Sequence, residues 1–295
     1  AAQEEDMATG STEFVDSTTA DVLISEQWTT KGIVAREAAL NYARLVDLSY
    51  RPMLRVGDIL NIHSVSNLTA QTKAKASNAA TQYETQTETN TQITVATWGY
   101  SGIAVEEIVD VQAIRDNAAM YAPKQGYALG LQVDDTLAGH PDDFTNAVGA
   151  LTATLSYTDW LRAMQYLADA DVPQEDWAIV VSPAEGNGLL QLKEYVHNDY
   201  SMLHGSAPAA TSHERNYITS FLNMPVYRSS NTEGTNAAGH DNAMFQREAI
   251  ALILQKEPST WTLKDPDYLV RKIVLSQIYG SAILRNDHGV WCRGA

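Results

Sequence analysis

The sequence predicts an α+β fold. Three observations predict it: helix-period and strand-period segments fall in separate blocks with no repeated strand-helix-strand unit, no internal repeat is found, and two strand-rich blocks close the chain. With 295 residues, 44% of them hydrophobic, the chain is long enough for two compact lobes.

Residues 1 to about 21 are small and polar, and Glu4, Glu5, Asp6, Glu13, Asp16, Asp21 and Glu26 all precede the first basic residue, Lys31. Such a run reads as a solvated, flexible arm. It leads into a helix in "DVLISEQWTTKGIVAREAALNYARLVDLSY", where Ile33, Ala39 or Leu40, Ala43 and Val46 or Leu48 have helical spacing. The period then changes in "RPMLRVGDILNIHSV": Ile59, Leu60, Ile62 and Val65 make a short strand after a Gly57-Asp58 turn.

The returning strand is "TQYETQTETNTQITVATW", Thr81 to Trp98. Thr81, Tyr83, Thr85, Thr87, Thr89, Thr91, Ile93, Val95 and Thr97 point one way, and Gln82, Glu84, Gln86, Glu88, Asn90 and Gln92 point the other. Thr and Tyr favour extended backbone, yet up to Gln92 neither face is apolar enough to form a core. Fully extended, the stretch reaches roughly 59 Å at about 3.3 Å per residue. A compact chain of this length has a radius of gyration of only about 19 Å. The strand must therefore bend or protrude. A protruding two-stranded ribbon is marginal in water, so a neighbouring molecule is the expected support.

Between the two strands, "SNLTAQTKAKASNAA", Ser66 to Ala80, is small or polar apart from Leu68 and reads as an exposed tip. The whole is a hairpin-like excursion from about Val56 to Ile103, with an expected apolar root at Ile93, Val95 and Trp98.

In "VEEIVDVQAIRDNAAMYAPKQGYALGLQVDDTLAGH", Ile108, Val111, Ile114, Ala118, Ala122, Leu129, Val133 and Leu137 follow a helical stripe. Gly139 is the expected C-terminal cap, and Pro123 with Gly126 is expected to kink or weaken the middle. Ser156 and Asp159 have capping-box spacing before "WLRAMQYLADADV", which Pro173 closes. "WAIVV" reads as a buried strand. It runs into Ser182-Pro183-Ala184-Glu185, with Ser at the N-cap and Pro at the first helical position of "AEGNGLLQLKEYV". Gly, Ser, Asn and Ala dominate His204 to Asp241 around the strand "MPVYRSS". The chain closes with "AMFQREAIALILQ" and, after Asp265-Pro266-Asp267, "YLVRKIVLSQIYGSAIL".

Composition excludes several classes. The longest apolar run, "AIALIL" (Ala249 to Leu254), is far short of the ~20 residues of a membrane helix, and the acidic N-terminus is unlike a signal peptide. Cytoplasmic assembly without a membrane is the expectation. The single cysteine, Cys292, reads as a packed thiol suited to a reducing compartment. A net charge of −16, from 36 acids and 20 bases, opposes tight binding to a phosphate backbone.

No phosphate loop, dinucleotide fingerprint, HExxH or GxSxG occurs, so no catalytic residue and no cofactor is assigned. His63, His140, His197, His204, His213, His240 and His288 form no metal-ligand spacing with Cys292. "HPDD", His140 to Asp143, reads as a solvated loop rather than a cation site. Gly126 and Gly130 make a GxxxG that implies close packing only, and Asn67-Leu68-Thr69 is a chance sequon.

The order of elements resembles the major capsid protein family of tailed bacteriophages, the Hong Kong 97-type fold shared with encapsulins. "VGDILNIHSVSNLTA" resembles the start of the family's extended loop, and "TQITVATWGYSGIAVEEIVDVQA" its return into the long spine helix. "WAIVVSPAEGNGLLQLKE" resembles the strand-Pro-helix of the axial lobe, and "NMPVYRSSN" its Gly-x-Pro-Val strand with Asn223 in place of glycine. "QREAIALILQ" and "YGSAILRNDHGVW" resemble the closing strands.

The resemblance implies an N-terminal arm and short helix (1–52), an extended hairpin loop (53–103), a peripheral domain with the spine helix (104–149), an axial domain (150–255) and closing strands of the peripheral domain (256–295). It implies a non-enzymatic shell protein that forms hexamers and pentamers around phage double-stranded DNA, which it touches weakly and non-specifically. The portal and, optionally, a cement protein are further partners. A separate scaffolding protein is implied if numbering begins at the true terminus, because no long charged helical segment precedes residue 30. The extended loop is expected to lie across an adjacent subunit, with Leu68, Lys73, Lys75, Tyr83, Thr85, Thr87, Thr89 and Thr91 as contacts. No cross-link is assigned to Lys73 or Lys75, which read as solubilising the tip. The alternatives are an encapsulin-like compartment with the same fold and a hydrolase or binding protein with a β-rich second lobe.

Overall fold

The computed structural model describes residues 40–75, 77–112, 117–192, 217–222 and 224–295. The arm, Ile33, Ala39, Ile114, His197, His204, His213 and Asn223 lie outside them, as do the side chains of Val111 and Ala118.

Among the described residues, the first helix is Tyr42–Leu45 (α1). Val46 and Leu48, expected on it, are not helical. Val46 is extended, and Asp47 is taken up by the ladder, donating its N–H to Ile250 O at 2.9 Å and accepting Leu252 N–H at 3.0 Å. Gly57 (φ 101°) turns the chain, a left-handed conformation that glycine tolerates. Ile59–Val65 (β1) then pairs antiparallel with Glu88–Thr94 (β2), in register from Ile59↔Thr94 to Val65↔Glu88.

The long strand expected over Thr81 to Trp98 is shorter and broken. Thr81 to Thr87 form no ladder, because no second strand lies beside them. At the other end Val95 donates its N–H to Asp58 O at 2.7 Å, and Thr97–Glu106 (β3) starts afresh in a different sheet. The paired hairpin thus ends at Thr94, and Ile103 belongs elsewhere.

Glu107–Gln112 (α2) follows β3, and Asn117–Ala138 (α3) is the longest helix among the described residues. Its buried stripe runs through Gln125, Leu129, Val133 and Leu137, but Ala122 and Ile108 are exposed because no described residue packs over that end of the stripe. Pro123 lies inside α3, which runs through it. Gly139 follows the helix without left-handed backbone, since the chain passes at once into the one-turn 3-10 helix Pro141–Asp143.

The remaining elements are Asn146–Gly149 (β4), Tyr157–Asp169 (α4), Trp177–Val181 (β5), Pro183–Leu189 (α5), Tyr217–Phe221 (β6), Met224–Arg228 (β7), Gly234–Thr235 (β8), Gly239–Gln246 (β9), Ile250–Asp265 (β10), Val270–Ile283 (β11) and Gly289–Gly294 (β12). The Ser156/Asp159 capping box forms in full, and Ser182 Oγ accepts Glu185 N–H, so both helix starts expected from spacing occur. Each such cap contributes about 1 kcal/mol.

Among the described residues, the strands form three sheets: β1-β2, β10-β11-β3, and a seven-stranded sheet ordered β4-β12-β9-β5-β7-β6 with β8 on β9. β12 joins the large sheet and not the long β10-β11 hairpin, so the closing strands divide between two sheets. β5 is buried along its whole length. Ile179 and Val181 face a core built with Trp160, Leu167, Phe221 and Cys292, while Val180 faces Leu137, Phe245 and Leu252 on the other side. Helix α4 covers the first face and the C-terminal half of α3 the second. Fully burying each of these β5 side chains contributes about 2 kcal/mol.

Candidate assembly surface

Two features of the three-stranded and two-stranded sheets stand out from this core: a polar ribbon at the end of a rigid root, and an uncovered sheet face.

The root is the smallest core. Ile93 and Val95 pack with Leu54, Ala251 and Ile253, with Leu60 and Ile62 half-buried against them. Gln255 Nε2 donates to Gly57 O at 2.7 Å, and Arg51 pairs with Glu257, so β10 holds the hairpin base from both sides. The approach is closest at Gly280, where an added Cβ would lie 2.7 Å from Val95 Cα, so only glycine admits the hairpin at this angle.

Beyond the root the ribbon has no core. Every residue from Thr81 to Asn90 is exposed. Leu68 and Tyr83 are 66% and 93% exposed, Lys73, Lys75, Thr85, Thr87 and Thr89 are exposed, and Thr91 is half-buried at the start of the root. The links across the ribbon are polar: Ser64 Oγ with Thr89 Oγ1 at 3.1 Å, Asn90 Nδ2 to Asn61 Oδ1 at 3.0 Å, and Thr69 N–H to Glu84 Oε2 at 2.7 Å.

Trp98, expected in the apolar root, is 70% exposed. The turn at Val95–Ala96 carries β3 onto β11, where Gly99 faces α3 and Trp98 faces away. Tyr100 and Trp261, 74% and 64% exposed, lie on the same uncovered face. With Lys256, Val274 and Ser276 they line a groove of about 460 Å³. The α3 side is closed by contrast: Gln125 Nε2 donates to Ser101 O and Ile273 O, both at 3.1 Å, and Gln277 Nε2 to Leu129 O at 3.0 Å.

Two buried carboxylates fasten the frame. Asp134 on α3 accepts Tyr42 N–H at 2.9 Å and Asn231 Nδ2 at 2.8 Å, and burial raises its pKa. Glu185 on α5 accepts Leu155 N–H at 3.1 Å, and burial without a cation pushes its pKa up to about 7. Burial likewise pushes the Cys292 thiol up, as befits a packed thiol. Among the described residues, no three His, Cys, Asp or Glu side chains are placed to hold a metal, and no helix is long and apolar enough to cross a membrane. Of the GxxxG pair, Gly130 abuts Leu40, whereas Gly126 faces open space.

No family profile and no curated protein matches the chain. Solved structures do. A chain from Mycobacterium phage Che8 matches with a TM-score of 0.73 at 20% identity, covering 91% of this chain and 96% of that one. A chain from the capsid of cyanophage P-SCSP1u matches at 0.72 and 14% identity, covering 94% of each. One from the mature capsid of bacteriophage PhiM1 matches at 0.67 and 14%, covering 92% and 90%. The chain has the phage-capsid fold.

The exposed aromatic face is what sequence reasoning missed. No alternation signals Trp98, because the break at Val95–Ala96 ends the register that places Ile93 and Val95. Glu185 was seen as a helix-start residue, but its long-range bond to Leu155 left no local trace.

Proposed function

We propose that this chain is a major capsid protein that self-assembles, as hexamers and pentamers, into an icosahedral head shell enclosing phage double-stranded DNA. The observation that carries the reading is the ribbon. An exposed, coreless hairpin rooted rigidly on a phage-capsid fold gains its support from a neighbouring subunit, as does any marginal two-stranded sheet. The role is structural and needs no cofactor. The division into arm (1–52), extended loop (53–103), peripheral domain with spine helix (104–149), axial domain (150–255) and closing strands (256–295) belongs to the same proposal. So do the loop contacts through Leu68, Lys73, Lys75, Tyr83, Thr85, Thr87, Thr89 and Thr91. A separate scaffolding protein, a portal and, optionally, a cement protein are the partners that belong to this reading, with assembly in the bacterial host cytoplasm.

Co-expression with its scaffold tests this. Megadalton shells with pentameric and hexameric clusters are expected by sedimentation and electron microscopy; a monodisperse monomer under those conditions overturns it.

A further inference from the structure

The three-stranded sheet has two long edges, and they are built differently. Along β10, Lys256, Glu257 and Lys264 place charges on the edge and Pro258 removes an N–H. Its register with β11 also shifts between Leu254 and Lys256 and again between Lys256 and Ser259. Charges, proline and bulges are the devices that keep an edge from pairing with another chain. Along β3 none of them blocks the edge. Its pairs with β11 run unbroken from Thr97↔Tyr279 to Glu106↔Val270, and Glu106 is its sole charge.

No strand pairs with the side of β3 away from β11 among the described residues. Among the described residues, Gln125 Nε2 bonds the β3 backbone from outside the sheet, at Ser101 O. A naked edge of this length, flanked by the exposed rings of Trp98 and Tyr100, is a template for an added strand.

A strand without a partner is present in the same chain. Thr81 to Thr87 alternates Thr or Tyr with Gln or Glu and is exposed throughout, and among the described residues its backbone is bonded only at Thr87, whose O accepts Ser66 N–H at 3.1 Å and whose N–H donates to Ser66 Oγ at 3.3 Å. Seven residues extend about 23 Å and fit along the roughly 33 Å of the ten-residue edge. The limb cannot turn back onto its own β3. Residues 88–94 between them are committed to β1, and Ile93 and Val95 are locked in the root.

We propose that the outer edge of β3 receives the Thr81–Thr87 limb of a second copy as an added strand. The inference rests on the shell-forming reading and names the surface through which one copy holds the next. Main-chain pairing explains why the limb is polar: affinity comes from its backbone, so the side chains stay soluble until assembly.

Cysteine pairing tests it, since the native Cys292 is buried and leaves the introduced thiols as the reactive ones. Copies carrying Ala104→Cys, an exposed position on β3, are co-assembled with copies carrying one cysteine at each position from 81 to 87. The shells are oxidised, and mixed disulfides are identified by mass spectrometry of the joined peptides. Cross-linking several-fold stronger at alternate limb positions is expected, because side chains of an added strand point to opposite faces in turn. Shells that form without any mixed disulfide, or with equal yields at consecutive positions, overturn this inference while leaving the shell reading intact. A disulfide found only within one chain, in a doubly substituted variant, also overturns it. Wild-type protein that stays monomeric under the same conditions overturns the shell reading, and this inference with it.

Discussion

Asp134 Oδ1 accepts the backbone N–H of Tyr42 at 2.9 Å, joining residues 92 positions apart where the chain leaves its N-terminal segment and meets the long helix. The same carboxylate takes Asn231 Nδ2 at 2.8 Å through its other oxygen. One buried side chain therefore clamps α1, α3 and the loop after β7. Asp134→Ala strands the donors of Tyr42, Ala43 and Asn231 and is expected to destabilise the subunit by about 3 kcal/mol. Chemical denaturation of the isolated subunit measures it, and Asp134→Asn, which keeps one acceptor, should recover part of the loss.

Glu185 gives a pH dependence with a defined sign. Its folded pKa, about 7, lies above the ordinary 4.5, so folding favours the protonated carboxyl. The stability it contributes is complete below about pH 4.5, declines as pH rises towards 7, and is gone above that. At roughly 1.4 kcal/mol per pKa unit the change is on the order of 3 kcal/mol. Thermal melts of the wild type and of Glu185→Gln at pH 5 and pH 8 test this: the difference between the two pH values should shrink in the variant.

The ribbon and its root should respond oppositely to mutation. Replacing residues 70–83 with an Asn-Gly turn removes no buried side chain and should change subunit stability by roughly 1 kcal/mol or less. Shells should nonetheless fail to form. Ile93→Asp puts an unpaired charge into the packing of Leu54, Ala251 and Ile253, and should cost several kcal/mol. Circular dichroism melts and electron microscopy on both variants separate the two outcomes.

Charge predicts weak contact with nucleic acid. At −16, isolated subunits should bind duplex DNA no more tightly than about 10⁻⁶ to 10⁻⁴ M at physiological salt. A filter-binding titration checks this, and nanomolar affinity would contradict it.

What the sequence made legible was local. Ser156 with Asp159, Ser182 before Pro183, and the apolar run of Trp177 to Val181 each carry their structure within a few residues, and each appears as read. Odd-even alternation placed Ile93 and Val95 in the root. Less legible was whatever depended on a distant partner. Thr81 to Thr87 has the alternation of a strand, yet a strand exists only where something pairs with it. Val46 and Leu48 have helical spacing, yet Asp47 is claimed by a ladder two hundred residues away. Trp98 looked like core because it is large and apolar, and a turn of two residues pointed it outward. The assembly surface was readable as an absence of apolar residues on the ribbon, but its counterpart face was not, since uncovered aromatics in a sequence are indistinguishable from buried ones.

The place of β12 inside the large sheet sets an order of events during synthesis. Among the described residues, β4 pairs only with β12, which separates it from β9. Until residues 289–294 have left the ribosome, β4 is a strand without a seat, and the face that α4 covers lacks Val290 and Cys292. Pairings across about 145 residues form slowly compared with local ones. A chain without residues 289–294 has an unfinished sheet, with β4 cut off from β9 and the core under α4 open where Val290 and Cys292 belong.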